Sequence, residues 1–572
     1  MKKILTILMA VIFMANFSKG QNRLAIPDTL VGMNFNLNIY DTSNAFYPGY
    51  KTKTFGVNTT YLGPTLFLNK GDSVSMKLNN MLMDTTTIHW HGMHVSALND
   101  GGPHITIPPG TIWNPKFKVR DNAAMYWYHP HLHMMTNLHA SLGAAGLVIV
   151  RDTIEKKLAL PRRYGLDDFP LVIQSKCFDA NKQILIENAY DSVMMVNGTL
   201  NAYLPTPAQV VRFRLLNASS ERVYNFGLQG NLTFYQIGTD GGLLNAPVAL
   251  TRLRLAPGER AEILIDFSEK SGQTIHLMSF ASELPNAIYG ALQPGMGPGQ
   301  TIPGYKTNVL NGTDFKILTF NIISQTAFPI TKIPTALVVN TPWTVASANG
   351  FKTLTFMPVN MGPTAIQGPF MINNAHFDMD VVNYSIPLNN IEVWTLTNQS
   401  PIAHPFHIHD VQFFITEMNG AAPPANMAGR KDVVLVPAGQ TVKFITKFET
   451  FCDSTAMYMY HCHMLTHEDG GMMGQFNVIC PKSSGINTLN AKSDELEVFP
   501  NPTSNRVTVK LNSNKTISDY SVYDYSGKLI QAKHNMDINE FEFDLKGNSS
   551  GIYFLKIQSS DKVMVKKINL IK

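Results

Sequence analysis

Cysteine is scarce in this chain, with four residues in 572. So few thiols exclude a small disulfide-built scaffold and leave each cysteine open to chemistry of its own. Charge is thin as well: Asp, Glu, Lys and Arg make up 15% of the residues against 44% hydrophobic. That balance excludes a disordered polyelectrolyte and describes a globular body. The formal net charge of +5 falls to about +2 without the three lysines Lys2, Lys3 and Lys19. No basic run carries interleaved aromatics, so no nucleic-acid partner is expected. Past the first twenty residues no apolar run reaches the roughly 20 residues of a spanning helix, so no transmembrane anchor is expected. The length suits three or four domains, each with its own core.

Histidine is what the chain has, and it is clustered. Ten of 17 fall in four groups: His89-Trp90-His91, His129-Pro130-His131, His404-Pro405-Phe406-His407-Ile408-His409, and the run from His461-Cys462-His463 to His467. Histidines that merely fill a core would be scattered. A thiolate, two imidazoles and a weak axial thioether form the trigonal set with which copper passes single electrons. Cys462, His467 and Met472 offer three of its four members. If residues 461–463 are extended, His461 and His463 project opposite Cys462, about 7 Å apart, and one short strand serves two metal centres.

With these motifs in this order, residues 30–482 resemble the three-domain multicopper oxidases: laccases, bilirubin oxidase and the bacterial copper efflux oxidase. The resemblance implies four copper ions, one T1, one type 2 and two type 3. It places the T1 ion on His404, Cys462, His467 and Met472, and the type 2 ion on His89 and His407. The type 3 pair would take His91, His129 and His463 on one ion and His131, His409 and His461 on the other. It gives Cys462 the role of electron conduit to His461 and His463, and makes Glu468 and Asp100 the proton-delivering acids. The family's usual glycine after the last histidine of the third motif is Asp410 here.

Internal repetition supports three domains. A Pro-Gly turn leading into an alternating strand occurs at Pro109-Gly110, Pro257-Gly258 and, as Pro-Ala-Gly, at Pro437-Ala438-Gly439. A strand closing on Asn recurs at 74–79, 210–217 and 391–398. Short alternating strands between Gly, Pro and Asn turns argue for an all-β chain, and the resemblance makes each domain a cupredoxin-like Greek-key unit. The expected domains are residues 21–155, 160–325 and 330–482. Two His-x-His pairs lie in the first and two in the third, so a cluster shared between those two is expected.

Residues 1–20 read as a secretory signal: Lys2-Lys3, an apolar core, then Ser18-Lys19-Gly20. Export suits a pairing of Cys452 with Cys480, which flank the copper strand, with Cys177 then free or paired elsewhere. Residues 483–494 read as a linker. Residues 495–572 resemble the type IX secretion sorting domain, through Val498-Phe499-Pro500-Asn501-Pro502-Thr503, Gly551-Ile552-Tyr553-Phe554-Leu555-Lys556 and Lys566-Lys567. This implies a small C-terminal β-sandwich, the type IX secretion machinery as partner, and passage through the periplasm to the cell surface or medium.

The expected co-substrates are O2 and a small-molecule or cuprous-ion electron donor. A laccase-like oxidase of phenols or related donors is the first reading and a cuprous oxidase for copper tolerance the second. A copper-binding protein without turnover is the third, although such relatives are expected to lose ligands. The 28 methionines form no dense insert near the T1 motifs, which ranks the organic donor first. Met134 and Met135 are expected to pack near the second motif.

Overall fold

The computed structural model describes residues 20–186, 191–297, 299–362, 364–480, 496–512, 515–559 and 563–572. The expected leader, apart from Gly20, and the expected linker lie outside them. Among the described residues strands dominate, and the three α-helices, Ala97–Asp100, Thr136–Ser141 and Leu465–Asp469, are short. The chain divides into two compact units, Met1–Ile479 and Cys480–Lys572.

The larger unit contains three bodies of paired sheets. In the first, one sheet runs Thr29–Val31, Thr65–Asn69, Gly146–Arg151, Ala124–His129, His89–His91. A second sheet is built on Thr52–Val57, Asn34–Asn44 and Ser73–Asn80. Period-2 alternation of buried positions in Ser73–Asn80 turns Val74, Met76 and Leu78 inward. They join Leu37, Leu66, Trp90 and Val148 in one core. The middle body closes around Phe213, Phe226, Phe320 and their neighbours. In the third, a sheet ordered Tyr384–Pro387, Met473–Ile479, Asp453–Cys462, His404–Ile408, Val433–Val436 covers a core centred on Trp394, Phe406, Phe444 and Phe476. Trp394 is fully buried among these rings, and truncating such a side chain costs about 3–5 kcal/mol.

The two sequence echoes meet in space. Gly110, Gly258 and Gly439 all sit at positive φ, near +70° to +83°. Their N–H groups donate to the carbonyls of Asn80, Asn217 and Asn398 at 2.8, 2.9 and 2.9 Å. Each of these asparagines is buried and spends its side chain the same way. The amide nitrogen donates to two carbonyls: Asp84 and Ile107 in the first body, Arg222 and Leu255 in the second, Ile402 and Val436 in the third. The amide oxygen accepts from the backbone N–H two residues on, at Leu82, Ser219 and Ser400. Asn is required because it satisfies donors and acceptors together where the strand ends. In the first body the residue is Asn80 rather than the expected Asn79, which lies one position earlier and does not make these bonds.

Both ligand-bearing strands are paired with a second one. His129 lies opposite His89 and Trp127 opposite His91. In the third body His407 lies opposite His461, and Phe406 opposite Cys462. The fold thereby brings each motif beside its partner before any metal is considered.

In the smaller unit, one sheet runs Leu496–Phe499, Arg506–Leu511, Glu540–Asp544. The other runs Leu529–Lys533, Ile517–Asp524, Gly551–Ser559, Val563–Leu570. Val507, Val509, Val522, Leu555 and Ile557 fill the core between them. Cys452 and Cys480 are disulfide-bonded, and Cys177 and Cys462 are free.

Candidate metal centre

Cys462 ends the strand Asp453–Cys462, and the chain turns at once into the helix Leu465–Asp469 that carries His467. This bend sets three donor atoms in a small triangle. Cys462 Sγ lies 3.5 Å from His404 Nδ1 and 3.6 Å from His467 Nδ1, and the two nitrogens are 3.2 Å apart. His404 is fixed by its other nitrogen, which faces Ser400 Oγ at 2.7 Å. Met472 is fully buried beside them. Its N–H donates to His467 O at 2.9 Å and its carbonyl accepts from Cys462 N–H at 3.1 Å. Phe370 stands over both imidazoles, 4.7 Å from the His404 ring and 4.5 Å from the His467 ring. Burial holds the Cys462 thiol well above its usual range, a cost that metal binding to the thiolate would offset.

On the opposite side of Cys462, the rings of His461 and His463 lie 5.5 Å apart, within an assembly of eight histidines. Among the described residues three all-histidine groups of close donor atoms form there: His89, His407 and His409; His91, His129 and His463; His131, His409 and His461. Each group mixes residues from the first and third bodies. His91 Nδ1 faces Nε2 of both His129 and His463 at 3.3 Å, and His131 Nε2 faces His461 Nε2 at 3.2 Å.

Second nitrogens are committed to the protein. His89 Nδ1 donates to Asp100 O at 3.0 Å, His407 Nδ1 to Asp432 O at 2.8 Å, and His409 Nδ1 to Asp100 Oδ2 at 2.7 Å. Nε2 of these three rings is then buried with no hydrogen-bond partner in the protein. Buried polar atoms are rarely left so, and three that converge fit a cation. Burial, reinforced by like-charged neighbours, holds His91, His129, His407 and His409 well below the usual imidazole range. His131 falls to about 4 and His463 to about 3, chiefly through burial. These rings are neutral at neutral pH, as metal ligands must be.

The two expected acids lie behind histidines. Asp100 closes the short helix Ala97–Asp100, where Gly101 takes φ +79°. A Cβ on Gly101 would fall 1.8 Å from Ile88 O, so only glycine allows the turn. Glu468 faces His131 Nδ1 at 3.4 Å and His461 Nδ1 at 3.2 Å. Burial alone would raise its carboxyl, but His131 and His461 pull it well below the usual carboxylate range.

Asp432, unmarked in the sequence, belongs with them: its Oδ1 accepts from His91 Nε2–H at 3.1 Å. It follows the charged pair Arg430-Lys431 at the start of an apolar strand and carries no motif of its own. Asp410 keeps the left-handed backbone that favours glycine, at φ +70°. Met134 departs from expectation. Its backbone takes φ +64°, and the side chain is 66% exposed rather than packed against the second motif.

A cavity of about 840 Å³ opens beside His467. Tyr289, Ile302, Ile366, Phe370 and Ile402 line it, with the carboxylates of Glu221 and Asp469. Desolvation and the neighbouring Glu468 push Asp469 up to about 7, against the backbone N–H groups of Thr136 and Asn137 that it accepts.

Comparison with known proteins agrees with this architecture. Residues 40–155, 168–289 and 341–480 each match a model of the multicopper oxidase family. Residues 497–571 match the secretion system C-terminal sorting domain. Multicopper oxidase mco of Staphylococcus haemolyticus is 33% identical over 481 residues, 81% of this chain and 94% of its own. Cell division protein FtsP of Proteus mirabilis is 29% identical, over 81% of this chain and 93% of its own. The laccase-like multicopper oxidase CueO of Ochrobactrum sp. superposes with a TM-score of 0.70 at 29% identity, over 80% of this chain and all of that one. The multicopper oxidase of Campylobacter jejuni, a metallo-oxidase, gives 0.67 at 26%, over 80% of this chain and 96% of that one. With three matching segments that span both histidine-bearing bodies and the one between them, the chain belongs to the multicopper oxidases and ends in a type IX sorting tail.

Proposed function

We propose that this chain is a laccase-like oxidase that couples one-electron oxidation of a small phenol or arylamine to reduction of O2 to water. Its copper ions supply one-electron redox steps and storage of four electrons between turnovers. His404, Cys462, His467 and Met472 hold the T1 ion, and His89 and His407 the type 2 ion. His91, His129 and His463 hold one type 3 ion, and His131, His409 and His461 the other.

The carrying observation is the wall chemistry of the cavity beside His467. Aromatic and aliphatic side chains suit a planar apolar donor. Among the described lining residues there is no methionine or cysteine, the soft donors a cuprous ion would seek. Cys462 is bonded through the backbone to His461 and His463, so the covalent path between the two centres is only a few bonds long. Asp100 Oδ1 is buried and unpartnered, while Oδ2 holds His409. Asp100 therefore orients a ligand with one oxygen and leaves the other available for proton delivery to the cluster. Glu468 serves the opposite side, against His131 and His461. The sorting tail takes the enzyme through the periplasm to the cell surface or medium.

Cuprous oxidation is the second reading, favoured by the exposed thioethers of Met296 and Met361, 59% and 81% accessible. Oxygen uptake by copper-loaded protein, compared for a phenolic donor and for cuprous ion at defined free copper, separates the two. Faster saturable turnover of the phenol is expected, and the reverse ranking would sink the proposal. Absence of uptake with every donor would leave a non-catalytic role, for which the FtsP relatives would be the guide.

A further inference from the structure

The middle body contributes no histidine to the cluster, yet its turn at residues 256–260 reaches it. A Cβ on Gly258 would fall 2.8 Å from His463 Cγ, so the turn lies flat against that ring. The same turn in the other bodies has no such neighbour. Gly110 would meet nothing within 4 Å, and Gly439 only Met296 Cε at 3.6 Å.

Two residues beyond Gly258, Arg260 is 1% exposed and held by all three bodies. Nε donates to Met125 O of the first at 3.2 Å. Nη1 and Nη2 donate within the middle body to Gly258 O at 3.2 Å and Asp240 O at 2.9 Å. Both also grip the Asp432 carboxylate of the third body, with Nη2 2.6 Å from Oδ2. Asp432 Oδ1 then accepts from His91 Nε2–H, and the Asp432 carbonyl accepts from His407 Nδ1–H. Gly92 makes the room: at φ +82°, a Cβ there would lie 2.3 Å from Asp432 Oδ2 and 2.6 Å from Arg260 Nη2.

We propose that Arg260 is a positioning residue for the oxygen-reducing cluster: through Asp432 it fixes the tautomer and plane of His91 and the placement of His407. The inference rests on the ligand assignment proposed above. An imidazole can present either nitrogen, and the partner of the other one decides which. His91 presents Nδ1 to His129 and His463 because its Nε2–H is taken by Asp432. A carboxylate alone can rotate. A planar, bidentate guanidinium sets its plane, which a lysine, as a point charge, does less well. The middle body thus acts on the cluster without supplying a ligand.

The test uses the full-length copper-loaded protein with Arg260→Met, Arg260→Lys, Asp432→Asn and the Met/Asn double variant. Copper per chain, the blue absorption and the type 2 electron paramagnetic resonance spectrum are read on each sample. The blue band reports on His404, Cys462 and His467, which Arg260 does not touch, so it monitors folding and metal supply. Expected for Arg260→Met is a native blue band with at least a twofold loss of non-blue copper or an altered type 2 spectrum. Arg260→Lys recovers part of that, and the double variant is no worse than Asp432→Asn, since both lesions act on one chain of contacts. An unchanged copper count and type 2 spectrum in Arg260→Met would overturn the proposal, as would losses that multiply in the double variant. If Arg260→Met loses the blue band too, because it buries a lone carboxylate, the double variant decides. There, native non-blue copper and a native type 2 spectrum would overturn it. No readout depends on the donor, so failure here is distinguishable from failure of the laccase reading.

Discussion

Asp410 Oδ1 lies 2.8 Å from His94 Nδ1, and the residue that departs from the family's glycine thereby gains a charge partner in the first body. Asp tolerates the left-handed backbone at φ +70° better than most residues. The His94 backbone N–H also donates to Asp121 Oδ1 at 2.9 Å. Lys70, Arg120, Arg430, Lys447 and Glu449 line the same small cavity. Burial lowers His94, but Asp410 and Asp121 outweigh it and raise the ring from 6.5 to about 9. A pKa raised on folding gives stability that is complete below about pH 6.5 and lost as pH climbs through 9. The contribution is at most about 3 kcal/mol. The thermal midpoint of copper-free protein should therefore fall across this window, and less steeply in His94→Gln. Parallel pH profiles for the two proteins would refute the coupling.

Asn398→Ala removes two donors and one acceptor where a strand ends, leaving the Ile402 and Val436 carbonyls short of partners. Losing buried hydrogen bonds of this kind costs roughly 2–4 kcal/mol. A lower unfolding midpoint is expected, and Asn217→Ala should do the same through Arg222 and Leu255. A neighbouring control, Asn79→Ala, should change the midpoint little.

Gly101→Ala cannot keep its turn, because the new Cβ would meet the Ile88 carbonyl. The helix Ala97–Asp100 must shift and draw Asp100 away from His409. Weaker copper retention in the cluster is expected with a native blue band, measured by metal analysis after mild chelation. Retention equal to that of the parent would show that the turn can relax locally.

Much of the centre was legible because its donors are local in sequence: His-x-His on a strand projects two imidazoles to one side whatever the tertiary context. Cys462 between His461 and His463 is the same rule with the middle residue put to use. Asn217 and Asn398 were legible as strand ends through repetition, although in the first body the pattern points to Asn79 and the bonds are made by Asn80. Arg260 and Asp432 were not legible. They stand 172 positions apart, and what makes them matter is a bond that only the docked bodies create. Asp410 was visible as a departure, but its partner His94 was not.

Copper should raise the thermal midpoint of the whole larger unit. Every cluster group draws on the first and third bodies, so metal binds the docked state alone. Free ligand at 100 times its Kd adds about 2.7 kcal/mol. Calorimetry with and without a chelator checks this, and identical midpoints would argue against a shared cluster.

Glu468→Gln keeps the shape of a side chain at 1% exposure but removes the titrating oxygen. Re-oxidation of the reduced enzyme by O2 should slow by about 100-fold, on the scale of general acid catalysis. Reduction by donor should be unaffected, as stopped-flow absorbance of the blue band can show. Slowing of both half-reactions would instead mark Glu468 as a structural support of the helix Leu465–Asp469.

The split of the donor groups has a consequence for incomplete chains. His404, Cys462 and His467 all come from the third body, whereas no cluster group is complete without the first. A fragment lacking the first body would hold the donors that accept an electron and none of the complete sets that pass it to oxygen. It would become a trap for single electrons, and only a unit that keeps the first and third bodies together gives them an exit.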